Sequence, residues 1–342
     1  MIKKLGNKAL LLILVVLLAV FGIARYFSNR NGENTFKTAI IPKIDSARMN
    51  GMVIFQKTTK KGTPLPFVFT RKGKDWYVSQ GTISGRAEQR SAQYIISQLE
   101  QISPDRLASN SSADWKDYNV TDSLGTRVVL LYDKDTALDV IVGRFSFIPQ
   151  GRKTISYLRL AGQKEVYATE GMLAMNITEE FNAWRDKKII PADQFNSWNK
   201  LTFTYPGDSG FVLQKQDSTH WVFDNGQVPD TLAVTHILQD LSGQNYGSFV
   251  NNFDSTGKQP LFSLRIEGKN MGAVLIKAYP ADSANKYAIN SSINPASFMS
   301  GMYNGMFSKI FPSKATFFRK DFKPLPPTIR STPMRGEDVK YY

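Results

Sequence analysis

One ordered set of residues occurs twice in this chain, and that recurrence constrains the fold more than any other feature. Phe67-Val68-Phe69 is answered by Phe211-Val212-Leu213. Trp76-Tyr77-Val78 is answered by Trp221-Val222-Phe223, and Gly81 by Gly226, at one offset of 145 residues. Ala92, Ile95, Ile96 and Leu99 follow the i, i+3, i+4, i+7 spacing of a single helix face, and Val234, Ile237, Leu238 and Leu241 repeat it. Asp230 and Thr231 are the expected caps of the second helix. Val128–Leu131 and Leu138–Val142 flank a turn at Asp133-Lys134-Asp135, while Phe262, Leu264, Ile266 and then Ala273–Ala278 flank one at Glu267-Gly268-Lys269-Asn270. Each half closes on an aromatic residue and an arginine, Trp184-Arg185-Asp186-Lys187 and Phe318-Arg319-Lys320-Asp321, at the offset of 134 that also relates the hairpins.

The order strand, tryptophan strand, helix, hairpin and closing arginine recurs whole. It predicts an α+β fold of two repeated units, each an antiparallel sheet with one covering helix, over 45–192 and 193–322. Trp76 and Trp221, set among apolar strand residues, are expected in the two cores. Arg185 and Arg319 are expected as structural clamps on carboxylates or chain ends.

Ahead of these units stands an apolar run. Residues 1–8 form a basic end with Lys3, Lys4 and Lys8, followed by the uncharged Ala9–Ala24 and then Arg25, Tyr26 and Phe27. Sixteen helical residues span about 24 Å, short of a hydrocarbon core of about 30 Å, but flanking Lys8 and Arg25 can snorkel and the aromatics can sit at the interface. The reading favoured is a transmembrane signal anchor over 9–27 with its lysines inside; the other is a signal peptide cut after Gly22-Ile23-Ala24. Both place the rest outside the cytoplasm, so the expected location is the inner membrane, single-pass, with the C-terminal part in the periplasm. Residues 28–44 make a polar stalk, and 323–342, with Pro324, Pro326, Pro327 and Pro333, a basic extended tail.

The net charge of +14 raises nucleic acid as a partner, but the basic excess is concentrated at the two ends and the middle is near balance. No nucleic acid is expected. The chain has no cysteine, which excludes disulfides, thiolate metal sites and a cysteine nucleophile. His220 and His236 are the two histidines, read with no acid at metal-ligand spacing from either, so no metal, cofactor or catalytic triad is assigned. Asp114, Asp117, Glu179 and Glu180 are the carboxylates that a two-acid glycan hydrolase could draw on, though nothing selects them; Glu179 and Glu180 suit a helix start after Thr178. Met299–Met306, with Gly301 and Gly305, reads as a short Met-rich packing helix.

Trp76-Tyr77-Val78, Tyr118-Asn119-Val120, Val128–Leu131, Leu138–Gly143, Tyr157-Leu158-Arg159, Val166-Tyr167 and Trp184-Arg185-Asp186-Lys187 together resemble the DUF4340-domain family of bacterial envelope proteins, as found in Bacteroidota. That family shows Tyr-Gly-Leu where this chain has Tyr118-Asn119-Val120, and a glycine ending the hairpin where it has Gly143. The resemblance covers 50–190 well and 195–322 more faintly. It implies an N-terminal anchor, an extracytoplasmic position and association with ABC-type or gliding-type membrane machinery. It supplies no catalytic residues.

Asp followed by Ser or Thr and a small or apolar residue recurs at Ser46, Ser123, Thr136, Thr231 and Ser283. The triplet resembles the O-glycosylation acceptor of exported Bacteroidota proteins, and Asp-Ser and Asp-Thr are equally ordinary turn and cap residues. The expected function is a non-enzymatic, membrane-anchored accessory or scaffold protein with an envelope protein partner. The alternatives are a glycan- or apolar-ligand-binding module and a carboxylate-dependent glycan hydrolase.

Overall fold

The computed structural model describes residues 44–149, 152–177, 180–191, 196–243 and 247–318. The expected anchor at 9–27, residues 28–43 of the stalk, the tail at 323–342, Arg319 and Glu179 lie outside them. The protein is mostly β, with two antiparallel sheets and few helices. Among the described residues no helix is long and apolar enough to cross a membrane.

Contacts divide the chain into two units. The first reaches Gly81 and resumes at Gln89–Trp184; the second takes Thr82–Glu88 and the described residues from Arg185 on. The sequence put the division near residue 192. It falls earlier because Trp184 packs edge to face on Phe69 at 5.4 Å in the first unit. The next residues are tied to the second: the Asp186 carbonyl accepts from Asn294 Nδ2 at 2.8 Å, and the Ile189 carbonyl from Ser291 Oγ at 2.6 Å.

In the first unit, β1 (Gly51–Phe55), β2 (Phe67–Lys72), β3 (Asp75–Gln80), β5 (Pro104–Ser109), β6 (Thr126–Tyr132), β7 (Asp135–Ile148), β8 (Lys153–Leu160) and β9 (Val166–Glu170) lie in the order β3-β2-β1-β6-β7-β8-β9-β5. Helix α1 (Gln89–Glu100) buries Ala92, Ile95, Ile96 and Leu99, the face that the spacing predicts. The short α2 (Leu173–Asn176) packs on β7 and β8. Val140, Ile141 and Val142 are successive and all buried, so β7 has apolar cover on both faces. One cover is a separate cluster of Val120, Ile141, Ile155, Tyr157, Val166 and Ala168, with Trp115 and Tyr118 packed against it.

In the second unit, β10 (Trp198–Thr204), β11 (Phe211–Lys215), β12 (Trp221–Phe223), β13 (Phe262–Gly268), β14 (Val274–Pro280), β15 (Tyr287–Ser291) and β16 (Asn294–Ser300) lie in the order β12-β11-β10-β13-β14-β15-β16. This is the connectivity of β3-β2-β1-β6-β7-β8-β9, strand for strand. The remaining strand, β4 (Ile83–Arg86), belongs with this unit and packs by β16. Helix α3 (Thr231–Ser242) starts where Asp230 Oδ1 accepts from the Ala233 amide at 2.9 Å, and it buries Val234, Ile237, Leu238 and Leu241.

Two expectations need correction here. The closing residue that enters the second core is Phe317, fully buried against Phe203, Phe211 and Phe223 at 5.6–6.2 Å, whereas Phe318 is 38% exposed. Met299–Met306 is not a helix. Met299 and Ser300 end β16, a 3₁₀ turn follows at Tyr303–Gly305, and α4 (Met306–Ile310) begins only after it. Gly305 at φ +66° and Asn304 at φ +50° are left-handed, which no continuous right-handed helix allows.

Candidate functional site

Register fixes which residues of the two sheets correspond. Gly51 pairs with Thr70 and Arg71 with Trp76; Lys200 pairs with Gln214 and Lys215 with Trp221. Arg71 and Lys215 therefore hold one position, and Trp76 and Trp221 the next. The extra residue between Phe211 and Trp221 is absorbed in the β11–β12 turn.

A cleft opens at this position in each unit. The first, of about 320 Å³, is lined by Ser46, Ala47, Arg71, Trp76, Gln93, Ile96, Ser97 and Glu100. The second, of about 530 Å³, is lined by Asn196, Ser197, Trp198, Asn199, Lys215, Gln216, Asp217, Ser218 and Lys269. Arg71 Nη1 donates to the Ala47 carbonyl at 3.2 Å and the Met49 carbonyl at 3.5 Å; its buried Nε has no hydrogen-bond partner among the described residues. Gln89 clamps the other side of Trp76, accepting from its amide at 2.7 Å and donating to its carbonyl at 3.0 Å. The Lys215 ammonium lies 5.9 Å from the centre of the Trp221 ring. Both tryptophans are buried, at 2% and 7% exposure; Trp76 lines the first cleft, whereas the indole at the second is that of the buried Trp198.

Asp217 is held well below the usual carboxylate range, first by the Thr219 and His220 amides and then by the His220 ring, 2.7 Å from Oδ2. His236 Nδ1 lies 3.5 Å from Asp240 Oδ2 on α3. Each histidine thus has an acid at close range, contrary to the sequence reading, which overlooked i−3 across a turn and i+4 along a helix. Neither pair grows into a group of three metal-ligating side chains among the described residues.

The carboxylates singled out from sequence are built into turns. Asp114 accepts from Ser109 Oγ and sits in a 3₁₀ turn capped by Ser111; Asp117 closes that turn, its amide donating to the Asp114 carbonyl at 3.0 Å. Glu180 precedes the 3₁₀ turn Phe181–Ala183. Arg185 is 2% exposed, donates to Asn251 Oδ1 at 2.7 Å and lies 3.7 Å over the Phe249 ring; burial pushes its pKa down to about 10. The five hydroxyls Ser46, Ser123, Thr136, Thr231 and Ser283 are all exposed. Three of their aspartates have turn or cap duties of their own: Asp45 accepts from the Ala47 amide at 3.0 Å, Asp282 from the Asn285 amide at 2.8 Å, and Asp230 caps α3.

One constellation had no role in the reading from sequence beyond its motif. Arg159, 3% exposed, donates through Nε to the Val120 carbonyl at 3.0 Å, through Nη1 to the Gln163 carbonyl at 3.3 Å and through Nη2 to Asp122 at 2.8 Å. Its guanidinium lies 3.8 Å over Trp115. Asn119 has φ +56°, and a Cβ on Gly143 would meet the Tyr118 carbonyl at 2.1 Å. The motif residues Tyr118-Asn119-Val120, Gly143 and Arg159 thus meet in one tight junction.

The profile of the family described as "Domain of unknown function (DUF4340)" matches residues 76–261, more than half of the chain. The chain belongs to the DUF4340 family. The match begins at the Trp76 position, takes in the Arg159 junction and ends just before β13, so it crosses both units. No curated protein and no solved structure matches the chain.

Proposed function

We propose that this DUF4340 chain is a non-enzymatic accessory or scaffold protein of the cell envelope, anchored in the inner membrane by Ala9–Ala24, with two repeated binding units in the periplasm. The observation that carries this reading is the shared register of Arg71–Trp76 and Lys215–Trp221, which sets a cation at one place in both units, on the edge of a cleft in each. A cation beside an indole, with amides and hydroxyls around it, suits carboxylate- or hydroxyl-bearing partners. Two weak sites on one chain raise avidity for a partner that presents its epitope repeatedly. The partner expected is a component of an ABC-type or gliding-type membrane system.

The test is a mild-detergent pull-down of the full-length chain and of an Arg71→Ala, Lys215→Ala variant from native membranes. The reading expects a stoichiometric envelope partner with the first and its loss with the second. Recovery of the chain alone, or equal recovery by both, overturns it. The amide- and hydroxyl-rich lining of the second cleft, Asn196, Ser197, Asn199 and Gln216, favours a second reading in which the ligand is a glycan. Calorimetry with envelope oligosaccharides would separate that from a protein partner.

A further inference from the structure

The β7–β8 hairpin reaches further than the shared fold uses. Val142 pairs with Leu158 as Ala278 pairs with Ile289. Beyond that point β14 ends at Pro280, while β7 continues to Ile148. The continuation carries Phe145, Phe147 and Ile148, which are 48%, 59% and 37% exposed. A unit of the same connectivity closes without this extension, so its apolar side chains serve no core.

Charge surrounds them. Arg144 and Arg152 are exposed, and Lys153 is tied to Glu170 at 2.6 Å. Lys57 and Arg144 line a cleft of about 260 Å³ at the base of the hairpin, with Phe145, Ala174 and Ile177. Met175 of α2, 48% exposed, adds to the apolar surface of the unit. Cations flank the apolar side chains at both ends, Lys57 and Arg144 at the base and Arg152 and Lys153 across from Ile148. A basic rim around apolar side chains suits the interface of an anionic bilayer, where long cationic side chains snorkel to the phosphates.

We propose that this hairpin docks on anionic phospholipid. Phe145, Phe147 and Ile148 enter the headgroup–acyl boundary, and Lys57 and Arg144 hold a lipid phosphate in the cleft. Reach supports lipid as the occupant: Ala24 and Ile44 are twenty residues apart, at most about 70 Å of extended chain, so an anchored first unit stays near the bilayer. Only this proximity rests on the anchored reading above.

The absence of cysteine makes the test direct. Full-length Phe147→Cys, and Val228→Cys as a control at a 66%-exposed site of the second unit, are labelled with an environment-sensitive dye. They are reconstituted in phosphatidylcholine vesicles with and without phosphatidylglycerol. With phosphatidylglycerol, the label at 147 shifts to the blue and is quenched several-fold more by lipid-borne quenchers than the label at 228. Adding Arg144→Glu removes most of that difference. Vesicles that float with the chain while both labels stay aqueous overturn the docking and leave the anchor standing; a chain that does not float overturns both. Shielding at 147 that ignores lipid charge and fades as protein is diluted into more lipid means a second copy, and overturns the proposal too.

Discussion

Trp76 and Trp221 stand at one position in two sheets, each the cross-strand partner of a basic residue, Arg71 in the first and Lys215 in the second. Each indole is buried and each basic partner lines a cleft, so packing and binding are separable by substitution. Replacing either tryptophan by alanine is expected to cost about 3–5 kcal/mol, as for other large buried aromatics. Replacing Lys215 by alanine leaves the core intact and should change urea stability by less than about 0.5 kcal/mol. Urea unfolding of the three variants checks this. A Lys215→Ala cost as large as that of Trp221→Ala would make the cation a structural part and remove it from the candidate site.

The sequence made the sheets and long helices legible because their periods are local. Ala92, Ile95, Ile96 and Leu99 lie on one face whatever surrounds α1, and Asp230 announces a cap. The clefts were not legible, since Ser46, Arg71 and Gln93 come together only through strand register and helix placement. Phe317 was missed because the match to Trp184-Arg185 selects Phe318, next to Arg319, and only packing shows which of the two phenylalanines is buried. The Asp217–His220 pair was missed because i−3 across a turn carries no periodic signal, whereas His236 and Asp240, at i and i+4 on one helix, were open to the same periodicity that marks the helix.

Gly143 and Asn119 show what the family motif does. A methyl at 143 would overlap the Tyr118 carbonyl at 2.1 Å and Val120 Cγ1 at 2.7 Å, so β7 approaches the 118–120 segment more closely than any side chain permits. Gly143→Ala should destabilise by about 3 kcal/mol or more, in the range of overpacked sites. Gly272→Ala, where a Cβ meets nothing within 4 Å, is the matched control and should be near neutral. Asn119→Gly fits the left-handed φ of +56° and should change stability by less than about 1 kcal/mol, while Asn119→Val should cost about 1–2 kcal/mol. Thermal melts of the four variants rank them, and a Gly143→Ala chain as stable as its control would refute the close approach.

Arg159 and Asp122 form an unequal pair. The arginine side chain is 3% exposed and the aspartate 85%. Removing the carboxylate loses only a solvent-facing ion pair, and Asp122→Asn should cost under about 1 kcal/mol. Removing the guanidinium strips donors from the Val120 and Gln163 carbonyls and cover from Trp115, so Arg159→Met should cost about 2–4 kcal/mol. A double-mutant cycle tests this. Equal single costs would place the stabilisation in the ion pair and not in the carbonyl and indole contacts.

Asp186 gives the second unit a pH signature of definite sign. Its side chain is 6% exposed; Oδ2 lies 3.0 Å from Arg86 Nη1, and Oδ1 accepts from the Lys188 amide at 3.0 Å. Burial raises its pKa above the ordinary 3.8, and outweighs the opposing pull of the Lys188 amide and the Arg86 charge. A carboxyl with a raised folded pKa binds more protons native than unfolded between the two values, so its contribution to stability falls as pH rises through that window. Asp186→Asn keeps an acceptor for the Lys188 amide and removes the titration. The stability of the parent chain minus that of Asp186→Asn should therefore decline as pH rises from about 3.8 and level off above the folded pKa. Urea midpoints of both chains across this range measure it directly, and other titrating groups cancel in the difference. A difference that grows with pH would show that the attraction to Arg86 exceeds the cost of burying the charge.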